Sequence, residues 1–243
     1  MEGCMMTDSP FGQVISLSSK HFVQEVPTPA AGGSMLRDVL AGGPFDAAVS
    51  AFVLSCLPDS AAPVLWVQDR MSRRENGRLY GAALRGFGFA GQVLRVSVSH
   101  PRDVLWAMEE GAACGGLAAV VGEIHGAPEV LSFTATKRLA LRAEAAEVPV
   151  WLIRSGDPGT LSAARERWRV SSLPSASHPH NTQAPGAPLW EADLFRARGR
   201  APGVWVASHD RQARQAKDRL RLVSRSGDGP LAADHGAAAD AAG

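Results

Sequence analysis

The eight residues at positions 43–50 stand where a phosphate-binding loop would lie, between an apolar strand pattern and a helical pattern. They read Gly43-Pro44-Phe45-Asp46-Ala47-Ala48-Val49-Ser50. In a P-loop, Gly-x-x-x-x-Gly-Lys-Ser/Thr, backbone amides wrap the phosphates, the lysine reaches the outer phosphates and the hydroxyl binds magnesium. Gly43 and Ser50 match, but Ala48 replaces the second glycine and Val49 replaces the lysine. Valine cannot neutralise a phosphate, so the pattern predicts a degenerate P-loop that has kept its shape and lost its chemistry.

Three further positions point the same way. Asp46 would place a negative charge inside the cradle. Gln68 follows the apolar run Val64–Val67, where a water-activating glutamate is expected, and glutamine is not a general base at neutral pH. The carboxylate that would order magnesium, Glu123, comes one residue late after its strand, although Glu123 or Asp69 could partly substitute. We therefore expect no catalytic residues, no nucleotide or metal cofactor, and no enzymatic activity.

The segments around this loop alternate between short apolar runs and helical patterns. Strands are predicted at Met35–Val39, Val64–Val67, Val93–Val98, Leu117–Val121 and Val148–Arg154, and helices at Asp46–Leu57, Leu79–Phe87, His100–Ala113 and Ala135–Glu147. Strands that alternate with helices indicate an α/β fold with a mainly parallel central sheet and crossover helices on its faces. Continuous apolar runs agree, because such strands are covered on both faces. This order of elements is the layout of a P-loop NTPase core.

The two ends of the chain differ from this core, which we place at residues 34–209. Residues 1–33 are weakly patterned and are predicted to form an N-terminal arm. Trp190–Arg198 and Val204–Ser208 alternate between apolar and polar residues, which predicts a C-terminal antiparallel hairpin. Asp210–Val223 has a thin apolar stripe at helical spacing, so residues 210–225 are predicted to be a basic helix. The Ala- and Gly-rich residues 226–243 are expected to be a disordered tail.

The near-neutral net charge of +1 over 243 residues hides an asymmetry. Residues 1–164 carry a balance of −3, residues 165–225 a balance of +7, and residues 226–243 a balance of −3. A clustered basic segment suits nucleic acid or an acidic protein. The candidate partner or DNA contacts are Arg196, Arg198, Arg200, Arg211, Arg214, Lys217, Arg219 and Arg221. Alternation would put the first three on one face of the hairpin, and a solvated outer face is the alternative interpretation.

Other residue types give weaker signals. The three cysteines are widely spaced without a CxxC, which argues against a disulfide framework or a zinc ribbon, and Cys56 and Cys114 are expected to be buried. Most of the six tryptophans are predicted to pack in the core, while Trp168, between two arginines, is a hypothesis for base stacking. Apolar stretches of about a dozen residues are too short for a bilayer, and a cytoplasmic location is expected.

Taken together, the order of these pieces resembles the RecA-like ATPase core, and more closely the ImuA (inducible mutagenesis protein A) family, whose nucleotide site is eroded. The resemblance rests on Met35-Leu36-Arg37-Asp38-Val39, Val64-Leu65-Trp66-Val67-Gln68, Gly77-Arg78-Leu79-Tyr80, Asp103–Glu110, Ala118–Glu123, Arg167-Trp168-Arg169-Val170 and Pro185–Trp190. It implies a bacterial accessory factor of the DNA-damage (SOS) response that acts in error-prone translesion synthesis. The implied partners are RecA and translesion polymerase proteins. The basic C-terminal region makes single-stranded DNA a further candidate ligand.

Two other functions remain open at this point. A cell-division inhibitor of the SulA type would share an eroded RecA-like core. A weakly active ATPase or recombinase would need a nucleotide site that Val49 and Gln68 argue against. The segment after the strand Val148–Arg154 is short, whereas recombinases carry a long mobile DNA-binding loop there, so autonomous homologous pairing is not expected.

Overall fold

A computed structural model describes residues 35–87, 91–181, 183–210 and 219–224. Its strands are β1 Leu36–Ala41, β2 Val64–Gln68, β3 Val93–Ser97, β4 Ala119–His125, β5 Val150–Ser155, β6 Glu166–Leu173, β7 Leu189–Ala197, β8 Gly203–His209 and β9 Leu220–Ser224. Its helices are α1 Ala48–Cys56, α2 Arg70–Glu75, α3 Gly81–Gly86, α4 Pro101–Ala112 and α5 Phe133–Ala146. The predicted N-terminal arm and disordered tail lie outside the described residues.

The strands form one sheet in the order β3-β2-β4-β5-β1-β6-β7-β8-β9. The pairs from β3 through β6 are parallel, and the pairs from β6 through β9 are antiparallel. The predicted α/β fold with a mainly parallel sheet and a C-terminal antiparallel hairpin is therefore confirmed. Because β1 lies in the middle of the sheet, the loop that follows it emerges at the carboxyl edge, beside the ends of β4 and β5.

Two hydrophobic layers cover the sheet, as the continuous apolar runs predicted. One layer packs α1 against one face and includes Trp66, Trp151 and Trp168. The other packs α4 and α5 against the opposite face, around Met108 and Leu139. The central strands are buried on both sides, so the loops at their carboxyl ends are held by a rigid scaffold.

Several elements differ from the sequence predictions. The charged stretch after β2 contains helix α2, which is capped by Asp69 because its carboxylate accepts a hydrogen bond from the Ser72 amide at 2.6 Å. The predicted C-terminal helix is wrong at its carboxyl end, where residues 220–224 form β9 instead. Cys114 is exposed rather than buried, and Trp106 is 65% exposed rather than in the core.

The described residues contain neither a membrane-spanning helix nor a cluster of metal-ligating side chains. None of the helices there is long and apolar enough to cross a bilayer. In the same residues, no group of three or more metal-ligating side chains comes together, and His178 and His180 lie in the loop between β6 and β7.

Candidate functional site: an eroded phosphate-binding loop

The loop after β1 is fixed closely against the neighbouring strand β6. The Gly42 amide donates to the Val170 carbonyl at 2.8 Å. A Cβ at Gly42 would lie 1.8 Å from the Ser171 hydroxyl oxygen, so a side chain cannot be accommodated there without movement. Phe45 adopts a left-handed conformation with φ 59°, and its ring is largely exposed. The loop thus keeps a tight turn into α1, as the sequence predicted.

The Asp46 side chain is hydrogen-bonded both to the start of α1 and to β6. Its carboxylate accepts hydrogen bonds from the Ala48 amide at 2.9 Å and from the Ser172 amide and hydroxyl at 2.7 Å each. Partial burial acts to raise the pKa of Asp46, but the bonds from Ser172 and Ala48 outweigh it and hold the pKa below its ordinary value of 3.8. A P-loop would offer such amides at the start of its helix to a phosphate. Here a carboxylate of the chain itself receives one of them.

The two substituted P-loop positions face the core. Ala48 is buried, and Val49 is only 2% exposed. Both belong to the hydrophobic layer between α1 and the sheet. From Gly43 to Ser50 the loop contains no lysine or arginine, so its own residues offer an anion only backbone amides and a hydroxyl.

Glu123 lies inside β4 and not after it. The sequence prediction ended this strand at Val121, but β4 continues to His125 because its pairing with β5 extends to the register His125–Ser155. The Glu123 carboxylate accepts hydrogen bonds from Trp66 Nε1 at 2.6 Å and from Gln68 Nε2 at 3.0 Å. Two residues of β2 therefore hold the carboxylate that could have ordered a magnesium ion.

The environment of Glu123 changes its protonation. Burial raises the pKa of Glu123 above its ordinary value of 4.5, against hydrogen bonds from Gln68 and Trp66 that lower it. Buried Asp69 also raises it by repulsion. The folded chain therefore binds a proton at Glu123 more tightly than the unfolded chain does.

Replacing Glu123 with glutamine is expected to remove part of the pH dependence of stability. A carboxyl whose pKa is raised on folding contributes stability that is fully present below its unfolded pKa and is lost as the pH rises through the folded pKa. The unfolding free energy of Glu123→Gln should therefore improve relative to the parent from about pH 5 to about pH 8. Urea titrations over that range would measure it.

Glu144→Gln provides a control of opposite sign. The hydrogen bond from Arg165 is the main cause that lowers the pKa of Glu144, so its contribution is present at neutral pH and is lost as the pH falls. An unchanged pH profile in Glu123→Gln would contradict the assigned burial of the charge.

A cavity of about 230 Å³ lies between the loop, the end of β2 and residues 76–80. The carboxylates of Asp46 and Glu123 both line it, together with Val49, Arg78 and Tyr80. Two carboxylates and an apolar floor are unsuited to a triphosphate, which needs cations and amide donors.

A buried ionic cluster fixes the segment that follows β5. Arg154 at the end of β5 pairs with Asp38 of β1 at 2.8 Å and also with Asp157 and Thr160. Asp157 in turn accepts hydrogen bonds from the Gly159 amide at 2.6 Å and the Thr160 amide at 2.9 Å. This short segment is thus tied to the central strands.

A second buried cluster centres on Glu166 of β6. Its carboxylate pairs with Arg37 at 3.1 Å and with Arg200 at 3.2 Å, and it accepts a hydrogen bond from Trp168 Nε1 at 3.3 Å. The Arg200 guanidinium lies over the Trp168 ring at 4.9 Å. No sequence pattern within these separate segments indicated this cluster, because its members meet only through strand pairing.

The predicted basic contacts do not form one surface. Arg196 and Arg198 are exposed, but the expectation that Arg200 shares their face is wrong. β7 ends at Ala197 and Gly199 has φ 93°, so the chain turns and Arg200 points back onto Trp168. Arg211, Arg214 and Lys217 lie outside the described residues.

The remaining two candidates are also separated from the hairpin end. Arg219 is buried and reaches Asp59 at 3.4 Å. Arg221 is exposed, but it pairs with Ser208, and Ser208 pairs with Leu189 at the start of β7. Since Arg196 is near the other end of β7, the two arginines are roughly 20 Å apart along the strand direction.

These features define the class of protein. A central β1 in the order β3-β2-β4-β5-β1, an eroded P-loop after it that is bonded through Asp46, and the buried carboxylate of Glu123 in β4 describe a RecA-like core with a degenerate nucleotide site. The chain is 29% identical over 212 residues to protein ImuA from two strains of Caulobacter vibrioides, NA1000 / CB15N and ATCC 19089 / CIP 103742 / CB 15. The match covers 83% of this chain and 82% of each relative. This similarity agrees with the resemblance to the ImuA family that the sequence motifs indicated.

No protein-family model matches the chain. The crystal structure of SulA from Pseudomonas aeruginosa aligns with a TM-score of 0.39 and 21% sequence identity, over 50% of this chain and 98% of that one.

Proposed function

We propose that this chain is a non-hydrolysing accessory protein of damage-induced error-prone translesion synthesis, and that it acts as an adaptor between RecA and the mutagenic polymerase complex. The observation that carries the proposal is the closure of the loop by Asp46, whose carboxylate bonds to the first turn of α1 and to β6. A bound triphosphate would have to displace these bonds and approach a negative charge. The similarity to protein ImuA supports the setting in inducible mutagenesis.

The absence of a hydrolytic role in this proposal follows from the same residues. Hydrolysis needs a cation on the outer phosphates and a base or orienting group for water. Val49 supplies no charge, and Gln68 already donates to Glu123 at 3.0 Å and to the Gly77 carbonyl at 3.0 Å. The groups that a nucleotide would recruit are instead bonded to one another.

The partner surface of the adaptor would include the exposed end of the β7–β8 hairpin. Arg196 and Arg198 are exposed there, and the described residues show no ion pair for either side chain. Unpaired exposed arginines suit an acidic patch on a partner protein. Arg221 is a separate candidate at the opposite end of β8.

Binding to RecA filaments tests the proposal directly. The full chain would be titrated over sensors that carry either a RecA filament on single-stranded DNA or the bare DNA, at physiological salt. Selective binding to the filament, without a nucleotide requirement of this chain, is expected. Arg196→Glu/Arg198→Glu should weaken filament binding at least fivefold, since each charge reversal replaces attraction by repulsion.

A control variant and three contrary outcomes complete this test of filament binding. Lys137→Gln/Arg142→Gln removes two positive charges from α5, outside the β7–β8 hairpin, and should leave filament binding unchanged. ATP turnover by the purified chain, or filament binding that requires ATP bound to it, would contradict the non-hydrolysing role. Binding to a division GTPase in place of the filament would favour the inhibitor function.

A further inference from the structure

A group of exposed arginines lies near β2 and β3. Residues 70–95 contain six arginines and one acidic residue, Glu75. Arg70, Arg74, Arg78, Arg85 and Arg95 are exposed. Of these, Arg74 contacts Glu75 at 3.5 Å, and within the described residues no ion pair forms at the others.

The C-terminal segment, in contrast, neutralises much of its charge internally. Arg167 reaches Asp38 at 3.4 Å, Arg200 reaches Glu166 at 3.2 Å, and Arg219 reaches Asp59 at 3.4 Å. Arg165 pairs with Glu144 at 2.6 Å on the surface. Among the described residues, part of the excess of +7 that the sequence shows for residues 165–225 is therefore neutralised within the fold.

Three of the arginines gather around the carboxyl ends of β2 and β3. Arg73 donates to the carbonyls of Gln68 at 3.0 Å and Val98 at 3.3 Å. Arg78 and Arg95 line one open cleft of about 270 Å³ with Gln68 and the end of β3. Each of these guanidinium groups keeps further N–H donors for an anion, since an arginine carries five.

The loop that carries Arg78 is held in place before any ligand arrives. Gln68 Nε2 donates to the Gly77 carbonyl at 3.0 Å, and Asn76 Nδ2 donates to the Ser155 hydroxyl at 3.0 Å. Gly77 has φ 78°, a turn conformation that favours glycine. Arg78 is therefore positioned by the scaffold, which lowers the ordering cost of binding.

An exposed aromatic ring continues the same surface. Tyr80 is 72% exposed, and it lines the neighbouring 230 Å³ cavity together with Arg78. Arg78 thus lies between Tyr80 on one side and Arg95 on the other. Alternating cations and an open aromatic ring are the elements with which proteins bind single-stranded nucleic acid, through backbone phosphates and stacked bases.

We propose that Arg78, Arg95 and Tyr80 bind single-stranded DNA, with phosphates at the cleft between the two arginines and a base stacked on Tyr80. Arg73 and the exposed arginines of α2 and α3 extend the positive field along the strand. This inference rests on the proposed function for its biological setting and moves the DNA contact from the C-terminal region to the β2–β3 end of the sheet.

A polymer fits these observations better than a mononucleotide. The remaining cavity is about 230 Å³, smaller than the ordinary range for ligand sites of about 300–1,000 Å³. Its walls also include the carboxylates of Asp46 and Glu123. Arg95, in contrast, is not among the residues that line this cavity, and Arg78 lines both the cavity and the open cleft beside it, where consecutive phosphates of a strand can reach the two arginines.

Fluorescence anisotropy with a labelled 20-nucleotide oligo-dT tests the site in the full chain. Arg78→Gln/Arg95→Gln is expected to raise the Kd about tenfold and to reduce the salt slope of log K by about 1.4, since each phosphate contact to a single strand contributes about 0.7. Tyr80→Leu should raise the Kd about fivefold, and Tyr80→Phe should retain parent affinity because the ring is kept.

Controls separate this site from others on the chain. Lys137→Gln/Arg142→Gln removes two charges on α5 and should leave the Kd unchanged. The proposal is overturned if the parent chain does not bind the oligonucleotide at low salt, or if Arg211→Gln/Arg214→Gln weakens binding more than Arg78→Gln/Arg95→Gln. Equal affinity for a trinucleotide, competition by ATP, or an acidic peptide bound in preference to DNA would overturn it as well.

The DNA-binding measurement can be interpreted independently of the adaptor function. Loss of bare-DNA binding in Arg78→Gln/Arg95→Gln, with RecA filament binding retained, would support this site and leave the adaptor proposal standing. Filament binding that fails while DNA binding behaves as expected would remove the adaptor proposal alone.

Discussion

Replacing Arg154 with leucine is expected to lower the free energy of unfolding by about 3–5 kcal/mol, because removal of one partner leaves buried charges uncompensated. The Arg154 side chain is fully buried, as is Asp38, its partner at 2.8 Å. Asp157 would lose the same guanidinium, and with it the attachment of residues 157–160 to β5. Unfolding in guanidinium chloride, followed by tryptophan fluorescence, would measure the decrease in the free energy of unfolding.

The size of this effect should depend on pH. Burial raises the pKa of Asp38, although Arg154 and Arg167 lower it. Without Arg154, Asp38 is expected to take up a proton more readily, which removes part of the uncompensated charge. The destabilisation by Arg154→Leu should therefore be smaller at about pH 5 than at about pH 8.

Arg165→Gln is the matched control for this pair. Arg165 and Glu144 form an equally short ion pair at 2.6 Å, but their side chains are 43% and 35% exposed. Water and salt screen such a pair, so its loss should cost less than about 1 kcal/mol. Equal costs for Arg154→Leu and Arg165→Gln would show that burial does not set the strength of the Arg154 cluster.

Replacing Trp168 with alanine is expected to cost about 3–5 kcal/mol, the range for loss of a large aromatic side chain from a packed core. Trp168 is completely buried. Its ring lies 5.3 Å from Phe52 and 5.9 Å from Trp205, and its indole nitrogen donates to Glu166 at 3.3 Å. The hypothesis that Trp168 stacks on a base is therefore wrong for the folded chain.

Trp106→Ala supplies the control for this substitution, since it removes the same side chain from an exposed site on α4. Surface substitutions usually change stability by no more than about 0.5 kcal/mol. Thermal unfolding and near-ultraviolet circular dichroism of both variants would compare them. A Trp168→Ala protein as stable as Trp106→Ala, or one that loses DNA binding while its stability is unchanged, would contradict the packing role.

The eroded site suggests how a nucleotide core can persist without a nucleotide. Asp46 connects the start of α1 to β6, and Glu123 connects β4 to β2. These links join the elements that face a nucleotide in an active P-loop protein. Because the carboxylates belong to the chain, the connections need no bound phosphate.

The sequence by itself determined the layered α/β fold and the absence of the P-loop lysine and second glycine. Continuous apolar runs such as Val64–Val67 predicted strands covered on both faces, and the structure buries them so. The substitutions at Ala48 and Val49 can be recognised from the sequence alone, because the P-loop is a local pattern of fixed spacing. Local periodicity and local motifs do not require knowledge of distant partners.

Tertiary structure alone decided where β4 ends, that residues 220–224 form a strand and not a helix, and which arginines are paired with carboxylates. Leu220 and Leu222 are buried on alternate positions because β9 pairs with β8, whereas a short run with Leu220 and Val223 also fits a helix. Arg200 and Arg219 looked available in the sequence, yet their carboxylate partners Glu166 and Asp59 are far away along the chain. A charge reaches the surface or is neutralised according to which distant side chain the fold brings beside it, and linear spacing carries no information about that neighbour.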